Sequence, residues 1–109
     1  MKYSILIPYN KRPTFEETLK SYEKFYINRK TDYEVIVIES KRNREDPIHH
    51  KTLDDLINKF KSNVPLRLIQ NDDCLYNPAH AYNLGFLNAF GEFIILTNPE
   101  SPHTVDVYY

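Results

Sequence analysis

Glycine is nearly missing from this chain: Gly85 and Gly91 are the only two in 109 residues. They cannot build a GxGxxG or Walker loop, so classical dinucleotide binding and P-loop hydrolysis are set aside. Cysteine is scarcer still. Cys74 stands alone, which excludes an internal disulfide and a cysteine-rich zinc site within these residues, and with no base near it in sequence an inert thiol is expected. There is no surplus of positive charge. Fourteen Lys and Arg against fifteen Asp and Glu give a net charge of −1, and only Lys41, Arg42 and Arg44 cluster, so nucleic-acid binding, which needs a basic face, is not expected. Long apolar runs are lacking too. Nothing approaches the roughly 20 residues that span a bilayer, and Met1 leads straight into a strand with no signal-peptide region, which makes a cytoplasmic location the expectation.

What is present alternates between strand and helix. Tyr3 to Pro8 is a continuous apolar strand of the kind covered on both faces. A polar loop follows, and Thr14 with Glu17 has capping-box spacing. Phe15, Leu19, Tyr22 and Tyr26 then recur at helical intervals. Tyr33 to Glu39 is the strongest strand signal, β-branched at its centre and ending in an acid. Ser40 to Glu45 reads as a charged loop. Asp46 and Pro47 suit a helix start, with Leu53, Leu56, Ile57 and Phe60 on its buried face and an end near Ser62. Leu66 to Ile69 is a third strand, placed outermost because Pro65 and Arg67 interrupt it. Finally, Asn77-Pro78 opens a helix that Gly91 is expected to stop, and Phe93 to Leu96 delivers Thr97, Asn98, Pro99 and Glu100 to the sheet edge.

These elements predict one α/β domain over residues 1–109, a three-layer Rossmann-like half with a mostly parallel sheet of four strands in the order 3-2-1-4 and helices on both faces. The fourth strand is as apolar as a central one yet falls at an edge. Either another chain covers it or the protein continues further. In such a sheet the ligand site lies at the carboxyl ends of the strands, beside the switch point between the first and fourth. Pro8-Tyr9-Asn10, Glu39-Ser40 and Asn98-Pro99-Glu100 meet there. With no glycine-rich cradle, a nucleotide would be held by side chains, with a metal ion neutralising its diphosphate.

Three segments, ILIPYNKRPTFEETLKSY, YEVIVIES and NPAHAYNLGFLNAFGEFIILTNPE, together resemble the N-terminal half of a GT-A nucleotide-sugar glycosyltransferase of the family 2 type. The resemblance covers essentially all 109 residues and is best carried by the spacing of Ala81, Asn83, Gly85, Ala89, Gly91 and Glu92. It implies that Pro8, Tyr9 and Asn10 line the base pocket, that Glu39 meets the base or ribose, and that Asn98 and Glu100 occupy the DxD positions that hold a divalent Mn or Mg ion and the diphosphate. Two departures stand out. Asn98 replaces the first aspartate, giving a degenerate DxD with weaker metal affinity, and Tyr82 stands where many relatives carry an arginine.

The function this implies is transfer of a sugar from a nucleoside diphosphate sugar in the complete enzyme, whose catalytic base and acceptor site belong to the half not represented here. The alternative is a non-catalytic small-ligand-binding or assembly module that forms a homo-oligomer through its fourth strand. Plainer readings stand beside the functional ones: a strand-ending turn at Asn98-Pro99-Glu100, a solvated strand end at Glu39 and a solvated loop at Asn10 to Arg12. Asp72 and Asp73 read as a solvated turn. His49 and His50, about 100° apart on a helix, cannot share a metal, and with His80 and His103 they are read as structural or surface residues.

Overall fold

The computed structural model describes residues 3–9, 15–26, 32–71 and 78–97. In chain order these form β1 (Tyr3–Tyr9), α1 (Phe15–Tyr26), β2 (Tyr33–Glu39), α2 (Lys41–Glu45), α3 (Pro47–Phe60), β3 (Leu66–Gln70), α4 (Pro78–Asn88) and β4 (Phe93–Leu96). All strand pairs are parallel, in the order β3-β2-β1-β4, as the sequence predicts. The capping box at Thr14 and the turn at Asn77 lie outside the described residues.

Strand alternation sorts the core into two layers. Ile5, Ile7, Val35 and Val37 face α1 and α3, where Phe15, Leu19, Tyr22, Leu53 and Phe60 meet them. Leu6, Ile36 and Ile38 face α4 through Ala81, with Leu84 and Ala89 beside them. Burial of one such large side chain contributes roughly 1.5–3 kcal/mol, so the α1–α3 layer is the heavier of the two. Lys59 Nζ also donates to Glu16 Oε1 at 2.8 Å, linking α3 to α1. That pair is exposed, and solvent screening makes it a minor contributor.

β2 is buried along its whole length, whereas β3 is half-buried and β4 has exposed ends, which is the pattern of a central strand between two edges. The edge position of β3 is as expected, and its Arg67 has a use. Arg67 Nη1 donates to Glu34 Oε1 at 2.6 Å and to the Asn88 carbonyl at 2.9 Å. Glu34 Oε2 accepts from Ser4 Oγ at 2.6 Å and from the Phe90 N–H at 2.7 Å. This buried cluster fastens the turn between α4 and β4 to the amino-terminal end of the sheet. Burial pushes the Glu34 carboxyl up, but hydrogen bonds from Ser4, the Phe90 N–H and Arg67 outweigh it and leave it below the usual range.

Two expectations need correction. Ser40 to Glu45 is not a loop: residues 41–45 form α2, because the Ser40 side chain caps it by accepting from the Asn43 N–H at 3.1 Å. Nor does Gly91 stop the helix. α4 ends at Asn88, with Asn88 Nδ2 donating to the Leu84 carbonyl at 2.8 Å. Gly91 is needed for a different reason. A Cβ there would sit 2.6 Å from the Ser4 backbone nitrogen, and the Gly91 N–H donates to Ser4 Oγ at 2.8 Å, so the turn can lie against β1 only without a side chain.

Candidate active site: the carboxyl edge of the sheet

β1 outruns β4. Their register ends at Leu6 opposite Leu96, and the Thr97 N–H donates to the Leu6 carbonyl at 3.2 Å. Ile7, Pro8 and Tyr9 continue, paired only with β2 among the described residues. Pro8 shares the parity of Leu6, whose carbonyl faces β4, so the N–H that proline lacks would have pointed past the end of β4. No ladder bond is lost there, which is how a central strand accommodates a proline. The β1–β4 mouth is the crevice expected at the switch point.

The chain leaves the sheet at Thr97 on the rim of this mouth. Tyr82 reaches from α4 to donate its hydroxyl to the Thr97 carbonyl at 2.9 Å. Burial raises its phenol above the ordinary value. Tyr82 therefore holds the strand end as a neutral hydrogen-bond donor.

Glu39 ends β2 opposite Tyr9 on the same face of the sheet. It is no solvated strand end, being 0% exposed. Its Oε2 accepts from Asn43 Nδ2 at 2.7 Å and lies 2.8 Å from His50 Nδ1. Its Oε1 is buried with no hydrogen-bond partner. The helices α2 and α3 put those partners in place. Ser40 caps α2 and brings Asn43 back over Glu39, while Asp46 caps α3, accepting from the Ile48 and His49 N–H groups at 3.1 and 3.3 Å, and turns His50 inward. Backbone bonds from the Ser40 N–H to the Tyr9 carbonyl and from the Asn71 N–H to the Glu39 carbonyl, each 2.9 Å, tie the three strand ends together. Arg44 Nη1 donates to Gln70 Oε1 at 3.0 Å on the β3 side of the same edge.

Of the residues implied by the resemblance, Glu39 and Tyr9 sit side by side on the face toward α1 and α3, and Pro8 lies on the face toward α4. The Tyr9 ring packs on Phe15, with centroids 5.1 Å apart, and is 2% exposed, so it forms a wall beneath the edge. Asn10, Asn98 and Glu100 lie outside the described residues. The sequence does not single out Asn43. His50 reads there as structural or surface, and it is 38% exposed while touching Glu39; the sequence signal is the pair of caps, Ser40 and Asp46, that winds 40–50 back over the strand end. Among the described residues no cluster of His, Cys, Asp or Glu could by itself hold a metal ion, and no helix is long and apolar enough to cross a membrane.

No protein-family model matches the chain, and no curated protein matches it significantly. Solved structures do match. Residues 1–349 of TarS from S. aureus align over 94% of this chain with a TM-score of 0.75 and 23% identity. The same protein in complex with UDP-GlcNAc aligns over 92% with a TM-score of 0.74 and 26% identity. The mannosyltransferase PcManGT from Pyrobaculum calidifontis, in complex with GDP-Man and Mn²⁺, aligns over 95% with a TM-score of 0.74 and 24% identity. The chain spans 27–29% of the length of these three structures. With its strand order, its crevice at the switch point and these alignments together, the chain has a GT-A-like glycosyltransferase fold.

Proposed function

We propose that this chain is the nucleotide-binding part of a glycosyltransferase, holding a nucleoside diphosphate sugar at the carboxyl edge of the sheet and serving sugar transfer in a longer enzyme. The observation that carries it is the buried Oε1 of Glu39, an acceptor with no partner at the edge where an α/β sheet binds its ligand. Leaving such an atom unmet costs about 1–3 kcal/mol, and an N–H of the base or a hydroxyl of the ribose would satisfy it. TarS holds UDP-GlcNAc and PcManGT holds GDP-Man at related folds, which supports the choice of ligand class.

In this reading Pro8 and Asn10 line the base pocket over the Tyr9 wall, and Glu39 meets the base or ribose. Asn98 and Glu100 follow Thr97 and act as a degenerate DxD. A divalent Mn or Mg ion held there supplies positive charge to the leaving diphosphate. PcManGT carries Mn²⁺ with its donor, which supports that cofactor. Calorimetry with UDP and GDP tests the assignment. Glu39→Gln should weaken binding about tenfold with or without metal, the size expected for one hydrogen bond to a charged group. Unchanged affinity in that variant would remove Glu39 from the site.

A second reading, an assembly module pairing through β4, draws on another observation. Phe93 and Leu96, the two ends of β4, are both more than half exposed, and an open apolar edge recruits strands.

A further inference from the structure

Both oxygens of a buried carboxylate need partners, and in Glu39 only one has them. Oε2 accepts from the Asn43 amide at 2.7 Å. It also lies 2.8 Å from His50 Nδ1, a contact that a carboxylate oxygen meets as acceptor when the hydrogen resides on that nitrogen. Two donors from two helices thus pin one oxygen of a side chain whose terminal torsion is otherwise broad. The other oxygen, buried and unmet, is left in one fixed position. The Glu34 cluster at the opposite end of the sheet satisfies both of its oxygens, with Arg67 on Oε1 and Ser4 and Phe90 on Oε2.

We infer that His50, together with Asn43, is a positioning residue for ligand recognition. By occupying Oε2 it presents Oε1 as the single acceptor of the pocket and makes the site select a ligand that offers an N–H or O–H at that point. This rests on the nucleotide reading above, which concerns Glu39 itself. His50 touches the carboxylate and acts through it. The pair also limits metal binding: with Oε2 engaged twice, Glu39 cannot chelate a cation through both oxygens, which keeps metal affinity away from the nucleoside end.

The test uses the whole 109-residue chain, UDP and GDP as probes, and no metal, so that only the nucleoside end is read. Nitrogen NMR of the free protein should show His50 with Nδ1 protonated. His50→Ala should weaken UDP or GDP binding about tenfold, and His50→Asn, whose amide nitrogen falls where Nδ1 was, should recover affinity to within about threefold of the original chain. Recovery by Asn separates positioning from bulk packing, because Asn and Ala both remove the ring. An Nδ1 free of hydrogen, an unchanged affinity in His50→Ala, or failure of His50→Asn to bind better than His50→Ala would each overturn the inference while leaving the nucleotide reading standing. If the unaltered chain binds neither UDP nor GDP, the nucleotide reading falls and this inference falls with it.

Discussion

Two glutamates on β2, five residues apart, have opposite uses because their surroundings differ. Glu34 has every oxygen met and fixes a turn; Glu39 has one oxygen unmet and faces the ligand edge. The depressed carboxyl of Glu34 makes a prediction about acid stability. A group whose proton affinity falls on folding stabilises the native state fully above its unfolded value, about 4.3, and that contribution is lost as pH drops through its lower folded value. Thermal midpoints should therefore decline below about pH 4.3, and the decline should be shallower in Glu34→Ala. At neutral pH the same variant should lose roughly 3 kcal/mol in urea titrations, since Arg67 and the Phe90 N–H are left without their carboxylate. In the proposed degenerate DxD, Glu100→Gln should abolish most of any gain in nucleotide affinity from Mn²⁺ while leaving metal-free binding as it was, and calorimetry reads both quantities. Persistence of the metal effect would return Asn98-Pro99-Glu100 to an ordinary turn.

Among the elements, α4 carries Gly85 and the turn before β4 carries Gly91, and the demands of the two glycines differ in size. A Cβ at Gly85 would meet only the side-chain ends of Leu6 and Ile38, at 3.1 Å. Overpacking of about 1–3 kcal/mol is then offset by the roughly 1 kcal/mol that alanine gains over glycine in a helix. Gly85→Ala should thus cost about 2 kcal/mol at most. Gly91→Ala meets backbone at 2.6 Å and should cost more, because neither β1 nor the turn can yield without breaking the Ser4–Gly91 bond. Chemical denaturation of the pair gives the order directly. For the β4 edge, sedimentation should show association that Leu96→Lys weakens. Leu96 is the position to change because it is 58% exposed, whereas Ile95 packs against the core.

Apart from α2, element types and order are legible in the sequence because they rest on short-range patterns: the apolar run of β2, the spacing of Phe15, Leu19 and Tyr22, and the proline that opens α4. What escaped depends on contacts between distant residues. Arg67 looks like an interruption of β3 until Glu34, 33 positions earlier, is placed beside it. His50 looks like a surface residue until two caps fold α2 and α3 over Glu39. Glu39 stands out in the sequence as a candidate, though its burial does not, since an acid closing an apolar strand reads the same whether water or a helix covers it.

At the scale of the whole molecule, the chain spans 27–29% of the length of the glycosyltransferase structures it resembles. Binding and transfer should therefore separate. The 109-residue chain should hold a nucleotide and transfer no sugar, because the resemblance assigns the base and acceptor site to a part of the enzyme not represented here; sugar found on an acceptor after incubation with UDP-GlcNAc or GDP-Man would contradict this. The central claim is the place of binding, and one measurement addresses it directly: the broadening of backbone amide resonances by Mn²⁺ added with UDP or GDP. A paramagnetic ion broadens only nearby signals. The account predicts loss of the Thr97 and Ser40 signals at the carboxyl edge, with those of Tyr33 and Arg67 at the other end of the sheet retained. Broadening centred on Tyr33 and Arg67, or none that depends on the nucleotide, would contradict it.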